Sequence, residues 1–122
     1  MAIKTFAAID VGSFELELGI YELSGKYGIR EIDHVRHPLA LGKDTYNDGK
    51  ISHELVEEMC DLLNRFGEVM KTYRVQDYRA FASSALREAK NSQIVLDRIR
   101  VRTGLKVRTV NNSELRFKSY KA

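Results

Sequence analysis

Apolar and polar positions along the chain change period several times, and each change marks an element. Thr5 to Asp10 is a short apolar run with a carboxylate at its end, the pattern of a buried strand that delivers Asp10 to a strand–loop junction. Val11, Gly12 and Ser13 then turn the chain. Leu16, Leu18, Ile20 and Leu23 alternate with Glu15, Glu17 and Tyr21, which predicts a second strand with one buried face. Ser24 to Gly28 is a hairpin signal with two glycines able to take positive φ. A third strand over Ile29 to His37 completes a meander, and Pro38, lacking a backbone donor, ends it.

From Leu39 to Ile51 no period holds, and Leu41-Gly42-Lys43 and Asn47-Asp48-Gly49 predict an irregular surface loop. Ser52 is placed to cap the next helix. Leu55, Val56, Met59, Leu62, Leu63, Phe66, Val69, Met70 and Tyr73 recur at helical spacing, so a long amphipathic helix is expected. Tyr78 to Ala82 predicts a fourth strand. Ser84 to Lys90 and Ser92 to Arg102 predict two short helical pieces, with Gly104 as the stop. Leu105 to Val110 predicts a fifth strand, and Asn111 or Asn112 begins a final helix. The order β-β-β-α-β-α-β-α describes an α/β domain, a five-stranded mixed sheet with helices packed on it, in the ribonuclease-H-like order. The last helix is interrupted at Ala122 without a stop signal, so the sequence reads as cut rather than finished.

Composition narrows the class without naming a task. The 122 residues suit a single domain, and 43% hydrophobic with 30% charged residues is ordinary for a globular protein. No apolar run approaches the roughly 20 residues of a membrane span. There is no secretory signal pattern, and the one cysteine, Cys60, has no internal disulfide partner, so a reducing cytoplasm is expected. Twenty Lys and Arg against 17 Asp and Glu give +3, far short of a nucleic-acid-binding signature. Nucleic acid and membrane are therefore not expected partners.

Three segments carry candidate chemistry. In Asp10-Val11-Gly12-Ser13, a carboxylate at a strand end suits a hydrated divalent metal. Gly12 lets backbone N–H groups approach phosphate oxygens, and Ser13 adds a hydroxyl. The same residues also make an ordinary hairpin turn. In Ala82 to Ala89, Ser83 or Ser84 and Arg87 stand at the start of a helix, where anions bind, or else Ser caps the helix and Arg87 pairs with Glu88 or Asp97. Glu114, near a strand end, is placed to act as a general base for water, or as the reciprocal partner in a capping box begun by Asn111. His34, His37 and His53 make a poor metal set, since strand spacing puts the first two on opposite faces. Cys60 reads as packing. Arg98 to Arg108 reads as a solvated basic face, with phosphate-chain binding as the alternative.

Taken in order, these segments resemble the N-terminal subdomain of the exopolyphosphatase and guanosine-pentaphosphate phosphohydrolase family, which belongs to the actin-like ATPase-fold superfamily. The family's D-x-G-S-N-S loop, T-S-A-x-R-x-A segment and E-E-A-R element correspond to residues 10–15, 83–89 and 113–116. The resemblance implies Mg²⁺-assisted hydrolysis of phosphoanhydride bonds in polyphosphate or in guanosine penta- or tetraphosphate. It places Asp10 near the metal, Gly12, Ser13, Ser83, Ser84 and Arg87 on phosphate, and Glu114 as the base that activates water. Two positions depart from it: Phe14-Glu15 replaces Asn-Ser, and Ser113 replaces the first Glu. The family's second phosphate loop, D-x-G-G-G-S, does not occur here. The expectation is one N-terminal lobe, residues 1–122, of a two-lobe phosphatase, inactive by itself, whose expected partners are the missing lobe and a second copy in a homodimer. The alternative is a degenerate module that binds polyphosphate or an alarmone nucleotide without hydrolysing it.

Overall fold

Alternation of apolar and polar side chains builds the central strands of one sheet. The computed structural model describes residues 3–26 and 28–109. Strands β1 (Lys4–Val11), β2 (Glu15–Ser24) and β3 (Gly28–Pro38) form the antiparallel meander, and β4 (Asp77–Ala82) and β5 (Arg108–Thr109) add in parallel on the other side. The sheet order is β3-β2-β1-β4-β5, the mixed five-stranded sheet that the sequence predicts.

Helices α1 (Leu41–Asp48) and α2 (His53–Thr72) connect β1–β3 to β4, while α3 (Ser84–Glu88) and α4 (Ser92–Thr103) connect β4 to β5. Both crossovers step in the same direction across the sheet. Parallel crossovers are right-handed, so both must run over the same face. Accordingly Ala7, Ile9 and Val11 of β1, Leu16, Leu18 and Ile20 of β2, and Ala80 and Ala82 of β4 are buried with Met59, Leu63 and Phe66 of α2 and Val95 and Ile99 of α4. Each large apolar side chain so buried contributes roughly 1.5–3 kcal/mol. The opposite sheet face carries Asp10, Glu15 and Glu17, with Phe6 and Tyr21 stacked at 5.3 Å between ring centroids.

The long helix forms as its spacing requires. The Ser52 hydroxyl caps it, accepting from the Leu55 N–H at 3.2 Å. α4 ends at Gly104, whose left-handed φ of 75° lets its N–H reach the Arg100 carbonyl.

Two expectations are corrected. Residues 39–51 are not an irregular loop, because Leu41–Asp48 is helical. Leu41, Gly42 and Thr45 turn one buried face inward, and the Thr45 hydroxyl donates to the Ala85 carbonyl at 2.9 Å. Asp, Asn and Gly are weak helix formers, so the helix depends on this packing, and Gly49 at φ 78° is its left-handed C-cap. The fifth strand starts later than Leu105: among the described residues it is Arg108–Thr109. Leu105 is buried in the core, and the N–H groups of Leu105 and Lys106 bond to the Thr103 and Tyr78 hydroxyls instead of a ladder. Val110 and the expected final helix lie outside the described residues.

The Arg98 to Arg108 stretch is at the surface as expected, with Arg98, Arg100, Lys106 and Arg108 exposed, but Arg98 and Arg102 are paired there rather than free. Both donate to Glu57 on α2, Arg98 at 2.5 Å, and Arg102 also reaches Asp61 at 2.9 Å. These bonds, from Arg98 first and Arg102 next, hold the Glu57 carboxyl below the usual carboxylate range. Cys60, buried beside them, has its thiol pushed up by burial.

Two outcomes follow from this packing. Leu63→Ala, which empties a fully buried position between α2 and the sheet, lowers the unfolding free energy by about 3 kcal/mol in urea titration; a loss below about 1 kcal/mol would contradict the packing. The depressed Glu57 carboxyl contributes stability above the ordinary glutamate value of about 4.3, and that contribution is lost as pH falls through its lower folded value. Glu57→Gln therefore has its largest effect on Tm near neutrality, and the gap from the parent narrows by pH 3; a gap independent of pH would remove the carboxylate as the cause.

Candidate functional site

The site is assembled where β1 and β4 end. In parallel register Asp10 lies beside Phe81 and Val11 beside Ala82, so the segments that leave these two strands emerge together at the carboxyl edge of the sheet. That edge is where open α/β sheets receive ligands. The Ser83 N–H donates to the Val11 carbonyl at 2.9 Å, fastening the start of α3 to the end of β1.

The first turn is tight. The Gly12 N–H donates to the Glu15 carbonyl at 2.9 Å, and a Cβ on Gly12 would stand 2.8 Å from that same oxygen. The hairpin reading of this segment is thus correct in geometry, and the glycine is required by the turn itself. Beyond it, the Ser13 carbonyl accepts from the Gly42 N–H at 2.7 Å and the Phe14 carbonyl from the Leu39 N–H at 2.9 Å. The turn is held against α1.

The two serine segments meet directly. Ser13 Oγ and Ser83 Oγ are 3.2 Å apart in a half-buried position, although 70 positions separate them in sequence. Ser83 occupies the N-cap position of α3 by its backbone, but its hydroxyl makes no cap bond and is turned to Ser13 instead. Ser84 follows, its hydroxyl 3.4 Å from the Tyr46 hydroxyl of α1. Arg87 lies one turn further along α3, with Glu88 at 3.6 Å, one of the two pairings that the sequence offers. Asp97, the other, is instead 3.8 Å from Arg100.

Charge at the altered turn is compensated. Glu15 is on β2, where Arg36 of β3 approaches its carboxylate at 3.4 Å and that of Glu17 at 2.9 Å. A carboxylate beside a phosphate loop would repel the ligand; here Arg36 draws it toward β3. Asp10 lies directly across the antiparallel pair from Glu17, on the same sheet face. Like charges so placed disfavour each other unless a cation intervenes. Among the described residues no group of three His, Cys, Asp or Glu side chains gathers as a metal site. Mg²⁺ makes do with one or two carboxylates, waters and substrate phosphates, and Asp10 suits that donor set.

Of the residues singled out from sequence, Asp10, Gly12, Ser13, Ser83 and Ser84 share this edge, and Arg87 is on the helix that begins there. Glu114 lies outside the described residues. Sequence reasoning missed Tyr46, and it marked Gly42 only as part of a loop similar to the family's, with no site role. An ideal Cβ on Gly42 would be 3.1 Å from the Tyr46 ring, 3.2 Å from the Phe14 ring and 3.2 Å from Ser13 Cβ, so the bare backbone of Gly42 is what lets these three groups converge. The signal available was the Leu41-Gly42 pair, but nothing marked it as helical.

The model of the Ppx/GppA phosphatase family matches residues 22–114. Over 112 residues the chain is 29% identical to exopolyphosphatase 1 of Mycobacterium leprae, covering 89% of this chain and 33% of that protein. To exopolyphosphatase 1 of Mycobacterium tuberculosis it is 26% identical over 106 residues, 87% of this chain and 31% of that protein. The crystal structure of the Aquifex aeolicus Ppx/GppA family member superposes with a TM-score of 0.88 at 25% identity, covering 93% of this chain and 37% of that one. The chain thus spans about a third of the length of the curated relatives it matches.

A paired substitution checks the close approach. Gly67 of α2 has open space around its Cβ position, so Gly67→Ala stabilises by about 1 kcal/mol through helix propensity alone. At Gly42 the same gain is offset by overpacking worth about 1–3 kcal/mol, so Gly42→Ala is neutral or destabilising. Equal stabilisation of both variants in urea denaturation would show that Phe14, Tyr46 and Ser13 do not converge on Gly42.

Proposed function

We propose that this chain, which belongs to the Ppx/GppA phosphatase family, is the phosphate-gripping lobe of a phosphohydrolase that cleaves phosphoanhydride bonds of polyphosphate or of a guanosine pentaphosphate. The observation that carries this reading is the meeting of the Ser13 and Ser83 hydroxyls at 3.2 Å, which unites two separate phosphate-loop segments at the carboxyl edge of β1 and β4.

In this reading Ser13, Ser83 and Ser84 offer hydroxyl donors to phosphate oxygens as the chain lies along the edge. The Ser13–Ser83 bond holds the two donors in place before the ligand arrives. Gly12 keeps the turn tight enough for Ser13 to reach its partner. Arg87 supplies a guanidinium one turn into α3, fit to hold a phosphate through two N–H groups. Asp10 is the residue that would hold Mg²⁺, which when bound neutralises phosphate charge and orients the chain. Glu114 accepts the proton of the attacking water. In-line attack on phosphorus depends on such positioning and charge neutralisation more than on covalent chemistry, which suits a site built from hydroxyls and one cation. A cytoplasmic setting, where phosphate chains and alarmone nucleotides are met in a reducing medium, accords with the lone buried thiol.

A second reading is favoured by Phe14, which stands exposed at the turn where the family pattern has a polar residue: the protein binds the phosphate chain without turning it over. Phosphate release from polyphosphate and from pppGpp, with and without Mg²⁺, separates the two in a protein that carries this lobe at full length. Turnover is expected, and Glu114→Gln lowers it by at least about 100-fold while binding is kept. Binding with no release from either substrate would establish the non-catalytic reading, and activity of Glu114→Gln within tenfold of the parent would remove Glu114 as the base.

A further inference from the structure

Two aromatic rings stand exposed beside the serine cluster. Phe14 is 61% exposed and Tyr46 58% exposed, and both reach the bare backbone of Gly42, where Ser13 also converges. The Tyr46 hydroxyl extends to Ser84 Oγ at 3.4 Å. The rings therefore border the same edge as the hydroxyls. Their positions are set by the backbone: Phe14 is pinned through its carbonyl to the Leu39 N–H, and its neighbour Ser13 to the Gly42 N–H. Tyr46 is on α1, whose preceding residue, Thr45, is bonded to Ala85.

A bare phosphate chain gives such rings nothing to do. It is a polyanion along its whole length, and the face of a phenyl ring carries the negative part of its quadrupole. Hydrocarbon surface next to a polyanion also sheds no water on binding. A ligand that carries phosphates at one end and a flat heteroaromatic ring at the other satisfies both halves of this edge. Aromatic side chains with few rotatable bonds and a fixed backbone lose little entropy when they stack, so a pre-set platform adds affinity at small cost.

We propose that Phe14 and Tyr46 form a stacking platform for the base of a nucleoside polyphosphate whose phosphates lie along Ser13, Ser83 and Ser84, so that this site selects a nucleotide over a bare polyphosphate chain. The proposal rests on the phosphate-binding reading above. It also gives a reason for Phe14 at the position where the family pattern is polar: the ring supplies base recognition rather than a further phosphate contact.

The test is calorimetric titration of the intact chain with GTP and with inorganic tripolyphosphate, which have the same number of phosphates and differ in the nucleoside. GTP is expected to bind at least tenfold more tightly. Phe14→Ala and Tyr46→Ala each weaken GTP by about 5- to 100-fold, the worth of one stacked base. They leave tripolyphosphate within twofold, and Tyr46→Phe, which keeps the ring, leaves GTP within about twofold. Both residues are exposed, so these variants keep the core, and unchanged thermal unfolding verifies it. GTP and tripolyphosphate binding alike, or the alanine variants weakening both ligands equally, would overturn the platform. If tripolyphosphate binds, Ser13→Ala weakens it, and the nucleoside adds nothing, the phosphate reading stands and the platform alone is lost. If neither ligand binds, both fall together.

Discussion

Parallel pairing of β1 with β4 at the centre of the sheet is the constraint on which the other features depend. Two parallel neighbours cannot be joined by a hairpin, so the chain must leave β1, complete the meander, and cross a face of the sheet before β4. Handedness puts that crossover and the next one on the same side. The result is one face packed by α2 and α4 and one face bearing Asp10, Glu15 and Glu17. The same pairing brings the exits of β1 and β4 side by side, and the two serine segments come together for that reason alone.

The site inherits its rigidity from backbone bonds rather than from side chains. Ser83 is fastened to Val11, Ser13 to Gly42, and Phe14 to Leu39, so the turn after β1 is held from both flanks. With the backbone so fixed, the Ser13–Ser83 contact requires no long side chain to be ordered, which keeps its entropic cost low. Arg36 matters for a similar reason. By engaging Glu15 and Glu17 it offsets part of the repulsion that two carboxylates near the loop would offer an anion. Of the sequence departures, Glu15 is paired with Arg36, and Phe14 stands outward beside Tyr46.

Much of this was legible in order but not in detail. Alternation in β1 and β2 and the helical spacing of α2 are strong periodic signals, and they located those elements to within a residue or two. α1 was not legible. Its eight residues include Gly42, Asn47 and two aspartates, all of which favour turns locally, and only burial of Leu41 and Thr45 against α3 makes it helical. β5 was expected, but its start was misplaced for the opposite reason: Leu105 is apolar as a strand residue should be, but it is spent on the core. The pairing of Arg98 and Arg102 was not legible because their carboxylate partners, Glu57 and Asp61, are some forty positions away.

The sequence by itself determined the element types with long periods, the order of the motifs, and through them the family. It did so because periodicity and motif spacing are local properties that survive without knowledge of contacts. Tertiary structure decided which residues share the edge: the Ser13–Ser83 contact, the approach of Phe14 to Gly42 of α1, and the capture of Glu15 by Arg36. Each of these joins residues more than twenty positions apart, and no local pattern encodes a contact that exists only after distant segments have closed on one another.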